Sequence, residues 1–165
     1  MCDNLRRKTI EDYVELVFNL QNKNEKVHTN DIANKLNIKP SSVTEIFQKL
    51  SKEGYIIYEK YGGVTLTSKG KKIAIKTKER HNKLTEFLML LGVDNKTAES
   101  DACEMEHILH PKTMDAVVKF LEVVNNCNIT PFWLDRLKNY VKTNKLKNCP
   151  DELTKICKKY SNIKN

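Results

Sequence analysis

The stretch Ala102-Cys-Glu-Met-Glu-His-Ile-Leu-His110 holds the residue types best suited to chemistry. Cys103, Glu106 and His107 stand at i, i+3 and i+4, so a helix here gathers a thiol, a carboxylate and an imidazole on one face. Glu99, four residues before Cys103, shares that face. These donors suit a borderline divalent transition metal and are poor partners for Ca²⁺ or Mg²⁺. The competing reading is a solvated acidic face with a half-buried cysteine and a surface histidine. The segment alone supports both.

At 165 residues the chain has room for one domain or two small ones around a real core. Hydrophobic residues make up 39% and charged residues 30%, the balance of a soluble, helix-rich protein. No apolar run approaches the roughly 18 residues of a membrane helix, and the polar N-terminus is unlike a signal peptide. Cys2, Cys103, Cys127, Cys149 and Cys157 are scattered without a C-x-x-C pair, which points to reduced thiols and against a disulfide frame or zinc ribbon. We therefore expect a cytoplasmic protein with no membrane partner. The net charge of +8 is uneven: residues 1–80 carry 16 Lys and Arg against 10 Asp and Glu, whereas Asp94 to His107 holds five acids and the single base Lys96. A basic N-terminal half suits a polyanion, and an acidic segment further along suits a cation.

The elements that must position these residues follow from periodicity. Ile10, Tyr13, Val14, Val17 and Phe18 mark an amphipathic helix ending near Asn22, with Asp12 and Glu15 one turn apart off its apolar stripe. Thr29 to Leu36 reads as a short helix with Thr29 or Asn30 as N-cap. After the turn Asn37-Ile-Lys-Pro40, a second helix burying Val43, Ile46, Phe47 and Leu50 begins at Pro40, with Ser41 as its cap, and stops at Gly54. Two helices on so tight a turn read as helix-turn-helix. The β-prone runs 55–60 and 64–67 around Tyr61-Gly62-Gly63 form a hairpin, which in this position is a wing. The same fold serves as a protein-binding module, but the basic charge favours DNA.

On the second helix, Ser41, Ser42 and Thr44 can reach phosphates or base edges, and Glu45 can accept from a cytosine amino group. Lys39, Lys49 and the wing residue Lys60 suit phosphates. Thr67 or Ser68 caps a long helix to about Leu91, basic over residues 69–80 and apolar at Leu84, Phe87, Leu88 and Leu91, with His81 at the join. Gly92 ends it. The metal-type segment follows as a helix at 96–109, then Pro111 opens another with Met114, Val117, Val118 and Leu121 on one face. The apolar stripes at 84–91 and 114–121 provide surface for a homodimer. Thr130-Pro131 caps a further helix to about Lys142, carrying Trp133 and Leu134, and a last helix spans about 151–160 before a disordered tail at 161–165. Cys127, Cys149 and Cys157 are most simply incidental thiols.

In this order the motifs Glu11-Asp-Tyr-Val-Glu-Leu16, Ile38-Lys-Pro-Ser-Ser-Val-Thr44, Tyr58-Glu-Lys-Tyr-Gly62, Leu66-Thr-Ser-Lys-Gly-Lys-Lys-Ile73, Arg80-His81 and Cys103-Glu-Met-Glu-His107 make the chain resemble the diphtheria toxin repressor family, its manganese transport regulator branch most of all. The likeness covers roughly residues 5–125. It implies a mainly α fold: a winged helix-turn-helix DNA-binding domain with a two-stranded wing (4–67), an all-helical metal-binding and dimerisation domain (68–126), and a helical extension (127–165). It also implies a metal-dependent repressor, dimeric on a palindromic operator in double-stranded DNA. Carried over by position, the metal ligands are Asp12, Glu15, His81, Cys103, Glu106 and His107, with Glu99 as a possible accessory ligand.

The pattern departs from the family in places. Asp12 is the manganese-type residue at its position, whereas Cys103 matches the iron branch. Thr85 stands where an accessory carboxylate is sometimes found, and residues 127–165 read as helices rather than the SH3-like domain of the long members. Thiolate and imidazole favour Fe²⁺, Co²⁺, Ni²⁺ or Zn²⁺, and extra carboxylates favour Mn²⁺. Fe²⁺ or Mn²⁺ is the expected ion, with Co²⁺, Ni²⁺ and Zn²⁺ as surrogates. A winged-helix protein with a purely structural metal and a small metalloenzyme are the rival readings, although no spare general base or His-Glu-x-x-His spacing supports the enzyme.

Overall fold

Helix α1 (Cys2–Gln21) lays Tyr13, Val14 and Val17 into the protein, as its 3.6-residue period requires. This computed structural model describes residues 2–21, 26–60, 62–127, 131–146, 148 and 150, the side chains of residues 2–6 excepted. The expected helix at 151–160, the tail at 161–165, Tyr61, Thr130, Cys149 and Cys157 lie outside the described residues.

Helices α2 (Thr29–Leu36) and α3 (Pro40–Lys52) form the helix-turn-helix, joined through Asn37 in the left-handed region at φ 53°. Both expected caps move by a residue or two. Asp31 Oδ2 reaches back 2.7 Å to the amide of His28, so His28 rather than Thr29 or Asn30 is the N-cap of α2. Pro40, with its φ already helical and no amide hydrogen to satisfy, is the first residue of α3, so the cap falls on Lys39 and Ser41 sits inside the first turn.

Strands β1 (Ile56–Glu59) and β2 (Gly63–Leu66) pair antiparallel with Ile56 opposite Leu66 and Tyr58 opposite Val64. The carbonyl of Val27 accepts from the amide of Val64 at 2.8 Å, stitching the segment before α2 onto the wing. Beneath lies one core of Tyr13, Val17, Ile32, Val43, Phe47, Leu50, Ile56 and Val64. Phe47 stands at its centre, edge-on to Tyr13 with ring centroids 6.3 Å apart and tilted against Tyr58 at 5.3 Å.

The wing is fastened to α4 (Ser68–Leu90) by its first turn. Thr67 Oγ1 accepts from the Gly70 amide at 3.1 Å, capping α4, and lies 2.7 Å from the Gly54 carbonyl to which it donates. Lys69 Nζ donates to the Glu53 carbonyl at 2.9 Å and sits 4.0 Å over the Tyr55 ring. A Cβ on Gly70 would overlap the carbonyl oxygen of Tyr55, so only glycine lets α4 lie this close to the α3–β1 junction.

Further along, α4 packs against α1, α5 (Asn95–Ile108) and α6 (Pro111–Asn125). Leu84, Ala102 and Met114 form a second core, flanked by Met105, Leu109, Val117 and Val118. Helix α7 (Phe132–Thr143) buries Leu134 and continues a ring series from Phe87 through Phe120 to Trp133. The chain is thus mainly α: a winged helix-turn-helix followed by a helical region, with α4 shared by both. Among the described residues no helix is long and apolar enough to cross a membrane.

Candidate metal centre

Three helices meet where the chemistry was expected. Asp12 and Glu15 come from α1, His81 from the middle of α4, and Cys103, Glu106 and His107 from α5, which packs on both. Glu106 and His107 are buried, whereas an acidic helix end ordinarily turns such groups to water. Ala98 and Ala102, small and fully buried on the same helix, bring its backbone close to α4.

The ring of His107 is held from both sides. Its Nδ1 is 2.9 Å from Glu11 Oε2, and its Nε2 is 2.8 Å from Asp12 Oδ1 and 3.2 Å from Glu106 Oε1. The other oxygen of Glu106 lies 3.2 Å from His81 Nδ1, while His81 Nε2 meets Glu99 Oε2 at 2.9 Å. Asp12, Glu106, His107, His81 and Glu99 therefore form a continuous chain of donors. Glu15 and Cys103 stand beside it: each feels the Glu106 charge, and the Cys103 side chain is exposed at the rim.

Short separations here are not all hydrogen bonds. His107 Nε2 and Glu106 Oε2 are buried without an aligned partner, although acidic or basic atoms lie within 3.2 Å of each. Burying such atoms unsatisfied costs about 1–3 kcal/mol apiece, and more when charged. Among the described residues no group of three or more His, Cys, Asp or Glu side chains is placed, as it stands, to hold a metal ion. The donor types nonetheless fit a transition metal: an imidazole nitrogen and a carboxylate oxygen, both buried and without an aligned hydrogen bond, with further carboxylates, a second imidazole and a thiol adjoining.

The metal-free site is not a bare cluster of repelling acids. Burial works against positive charge on His107, but the carboxylates of Asp12, Glu106 and Glu11 set against its two nitrogens outweigh it and lift the ring from the usual 6.5 to about 11. Burial pushes the Glu15 carboxyl up, with Glu106 adding to it, and burial likewise raises the Cys103 thiol. Because the folded value of His107 lies above its unfolded one, the stabilisation is complete below about 6.5 and is lost as pH rises towards 11. We expect the melting temperature of chelator-treated protein to fall as pH is raised from about 7 to about 10, and to fall less in His107→Gln. Identical profiles would remove His107 as the titrating group.

Glu11 is the residue sequence reasoning missed. It is 5% exposed and accepts from Arg7 Nε at 2.8 Å, with Arg80 Nη1 at 3.6 Å, besides meeting His107. Burial alone would raise its carboxyl, yet His107, Arg7 and Arg80 hold it below the usual carboxylate range. A signal was present: Glu11 is three residues before Val14 and next to Ile10, on the buried side of α1.

The candidate DNA contacts gather on α3 and the wing. Lys39, Ser41, Ser42, Glu45 and Lys49 are exposed on α3 or at its cap, and Lys60 is exposed at the wing turn. Thr44 is half-buried and its hydroxyl donates to the Pro40 carbonyl at 3.0 Å, leaving only its lone pairs for another partner.

Comparison with known proteins agrees with this arrangement. The iron dependent repressor N-terminal DNA-binding domain matches residues 7–64, and the metal-binding and dimerisation domain of the same family matches residues 67–131. The HTH-type transcriptional regulator MntR of Lysinibacillus sphaericus is 38% identical over 116 residues, covering 70% of this chain and 84% of that protein. MntR of Bacillus subtilis is 42% identical over 109 residues, covering 66% and 77%. A manganese-dependent transcriptional repressor solved in complex with manganese superposes with a TM-score of 0.63 at 27% identity, covering 68% of this chain and 52% of that one. The manganese regulator SloR gives 0.60 at 28%, covering 74% and 56%. The chain thus spans about half the length of these solved structures and most of the length of the two MntR proteins. With both domain signatures in succession and relatives of this identity, the chain belongs to the iron-dependent repressor family.

Proposed function

We propose that this protein is a metal-dependent transcriptional repressor that binds a palindromic DNA operator as a homodimer when Fe²⁺ or Mn²⁺ is present. The observation carrying the reading is the pair of buried atoms without an aligned hydrogen bond, His107 Nε2 and Glu106 Oε2, beside acids from the winged helix. Asp12, Glu15, His81, Cys103, Glu106 and His107 are the ligands we assign, with Glu99 accessory through its contact with His81. A bound divalent ion supplies the positive charge and directed bonds that these donors lack among themselves.

The protein's own part is geometric. Asp12 and Glu15 ride on α1, which carries core residues of the winged helix, whereas Glu106 and His107 ride on α5. Ligation in common therefore fixes α3 relative to the helical region. In a two-fold dimer, recognition helices must meet major grooves about one helical turn apart, so a fixed orientation raises operator affinity, and operator must raise metal affinity reciprocally. Lys39, Lys49 and Lys60 take phosphates, while Ser41, Ser42, Thr44 and Glu45 face base edges or backbone. The relatives named for manganese favour Mn²⁺, and the Cys103 thiol favours a softer ion. Such a regulator is cytoplasmic and performs no catalysis.

The test is anaerobic selection from random duplex DNA, with chelator and then with added Fe²⁺ or Mn²⁺. Selective binding only with metal, lost again on chelation, is the expected result. Equal selection in both conditions would leave a DNA-binding protein and remove the metal dependence.

A further inference from the structure

We propose that Glu11 is a positioning residue for His107: its buried carboxylate, gripped by Arg7 and Arg80, captures Nδ1 and so presents Nε2 to the space beside Asp12 and Glu106. The inference rests on the metal-centre reading above. It adds a residue that no sequence pattern placed in the site.

The two oxygens of Glu11 have separate partners. Oε1 accepts from Arg7 Nε at 2.8 Å and has Arg80 Nη1 at 3.6 Å, whereas Oε2 faces His107 Nδ1 at 2.9 Å. Two guanidinium groups on one oxygen fix the rotation of the carboxylate, and the other oxygen is left aimed at the ring. An imidazole has broad, roughly two-fold freedom about its outer side-chain torsion. Turning it by half a revolution would exchange each nitrogen for a carbon. Asp12 and Glu106 favour the observed orientation through Nε2, the nitrogen that a metal would take. Glu11, on the opposite side, favours it through Nδ1, so its hold on the ring does not depend on what Nε2 binds.

The arrangement also joins three elements. Glu11 and Arg7 belong to α1, Arg80 to α4 and His107 to α5. The carboxylate that orients the ring is thus itself held by the helix shared between the two halves of the molecule. Outer partners of a metal-bound histidine typically change metal affinity by about 10–100-fold.

Glu11→Ala and Glu11→Gln in the full chain test this, with Co²⁺ affinity measured by competition against a metal indicator. Gln keeps the volume but offers one acceptor to three donors, so both variants are expected to bind Co²⁺ about 10-fold more weakly or worse. The second readout is the ¹⁵N spectrum of the imidazole rings in Zn²⁺-loaded protein, where the His107 Nδ1–H signal should lose its hydrogen-bond shift in Glu11→Gln. A purely structural role would lower the melting temperature and leave that signal in place. Wild-type Co²⁺ affinity with an unchanged His107 signal in Glu11→Gln overturns the proposal, even if Glu11→Ala fails to fold. His107→Ala is the control: if it binds Co²⁺ as the wild type does, the metal-centre reading fails and this inference with it.

Discussion

His107→Ala is expected to abolish metal-dependent operator binding and to cut Mn²⁺ or Co²⁺ affinity by more than the roughly 10–100-fold that loss of an outer partner costs. The ring supplies a buried nitrogen that lies within 3.2 Å of acids from both α1 and α5. Removing it takes away a proposed ligand and also strips Glu11 and Glu106 of a positive neighbour. Breaking a buried charge pair by deleting one partner costs about 3–5 kcal/mol, so the metal-free variant should also melt earlier. Non-specific DNA binding at low salt should persist, because the lysines of α3 and the wing are untouched. Isothermal titration with metal and gel shifts on the selected operator report the two effects separately. Retained metal response in the variant would remove His107 from the site.

Phe47→Ala is expected to have the largest effect on stability. The ring is fully buried and touches aromatic neighbours from α1 and β1. Truncating such a residue costs about 3–5 kcal/mol, against a typical domain stability of about 5–15 kcal/mol. Because Phe47 lies on α3, its loss loosens the recognition helix before it affects the second core around Leu84 and Met114. Denaturant melts should show a transition moved to lower denaturant, with operator binding lost at temperatures where helicity survives. A shift worth less than about 1 kcal/mol would mean that the core refills the space and does not hold α3.

Much of this was legible in the chain. The stripe Tyr13, Val14, Val17 placed α1; Gly54 and Gly92, at φ 74° and 99°, ended α3 and α4 as read. Thr67 capped α4, and the hairpin fell where β-branched and aromatic residues flank the glycines. Local competition defeated the other caps. Asp31 is able to serve the amide of His28, and Pro40 needs no cap on its own nitrogen, so neither Thr29 nor Ser41 was required. The i, i+3, i+4 spacing put Cys103, Glu106 and His107 together, but spacing cannot say which atoms remain unpaired. That depends on α1 arriving from 96 residues away, and it is why the place of Glu11 on the buried side of α1 pointed to burial but not to a partner.

The clamp at the foot of α4 has a mechanical consequence. With Thr67, Lys69 and Gly70 binding its first turn to the α3–β1 junction, the wing and α4 must swing as one lever. From Ser68 to His81 that lever is thirteen residues, about 20 Å long. A tilt of about 10° pivoting at His81 therefore carries its far end about 3.4 Å, the rise between neighbouring bases along a DNA strand. Two such arms in a dimer would shift in opposite senses and double the error. An angular change of this size is thus enough to put two reading heads out of step with their half-sites.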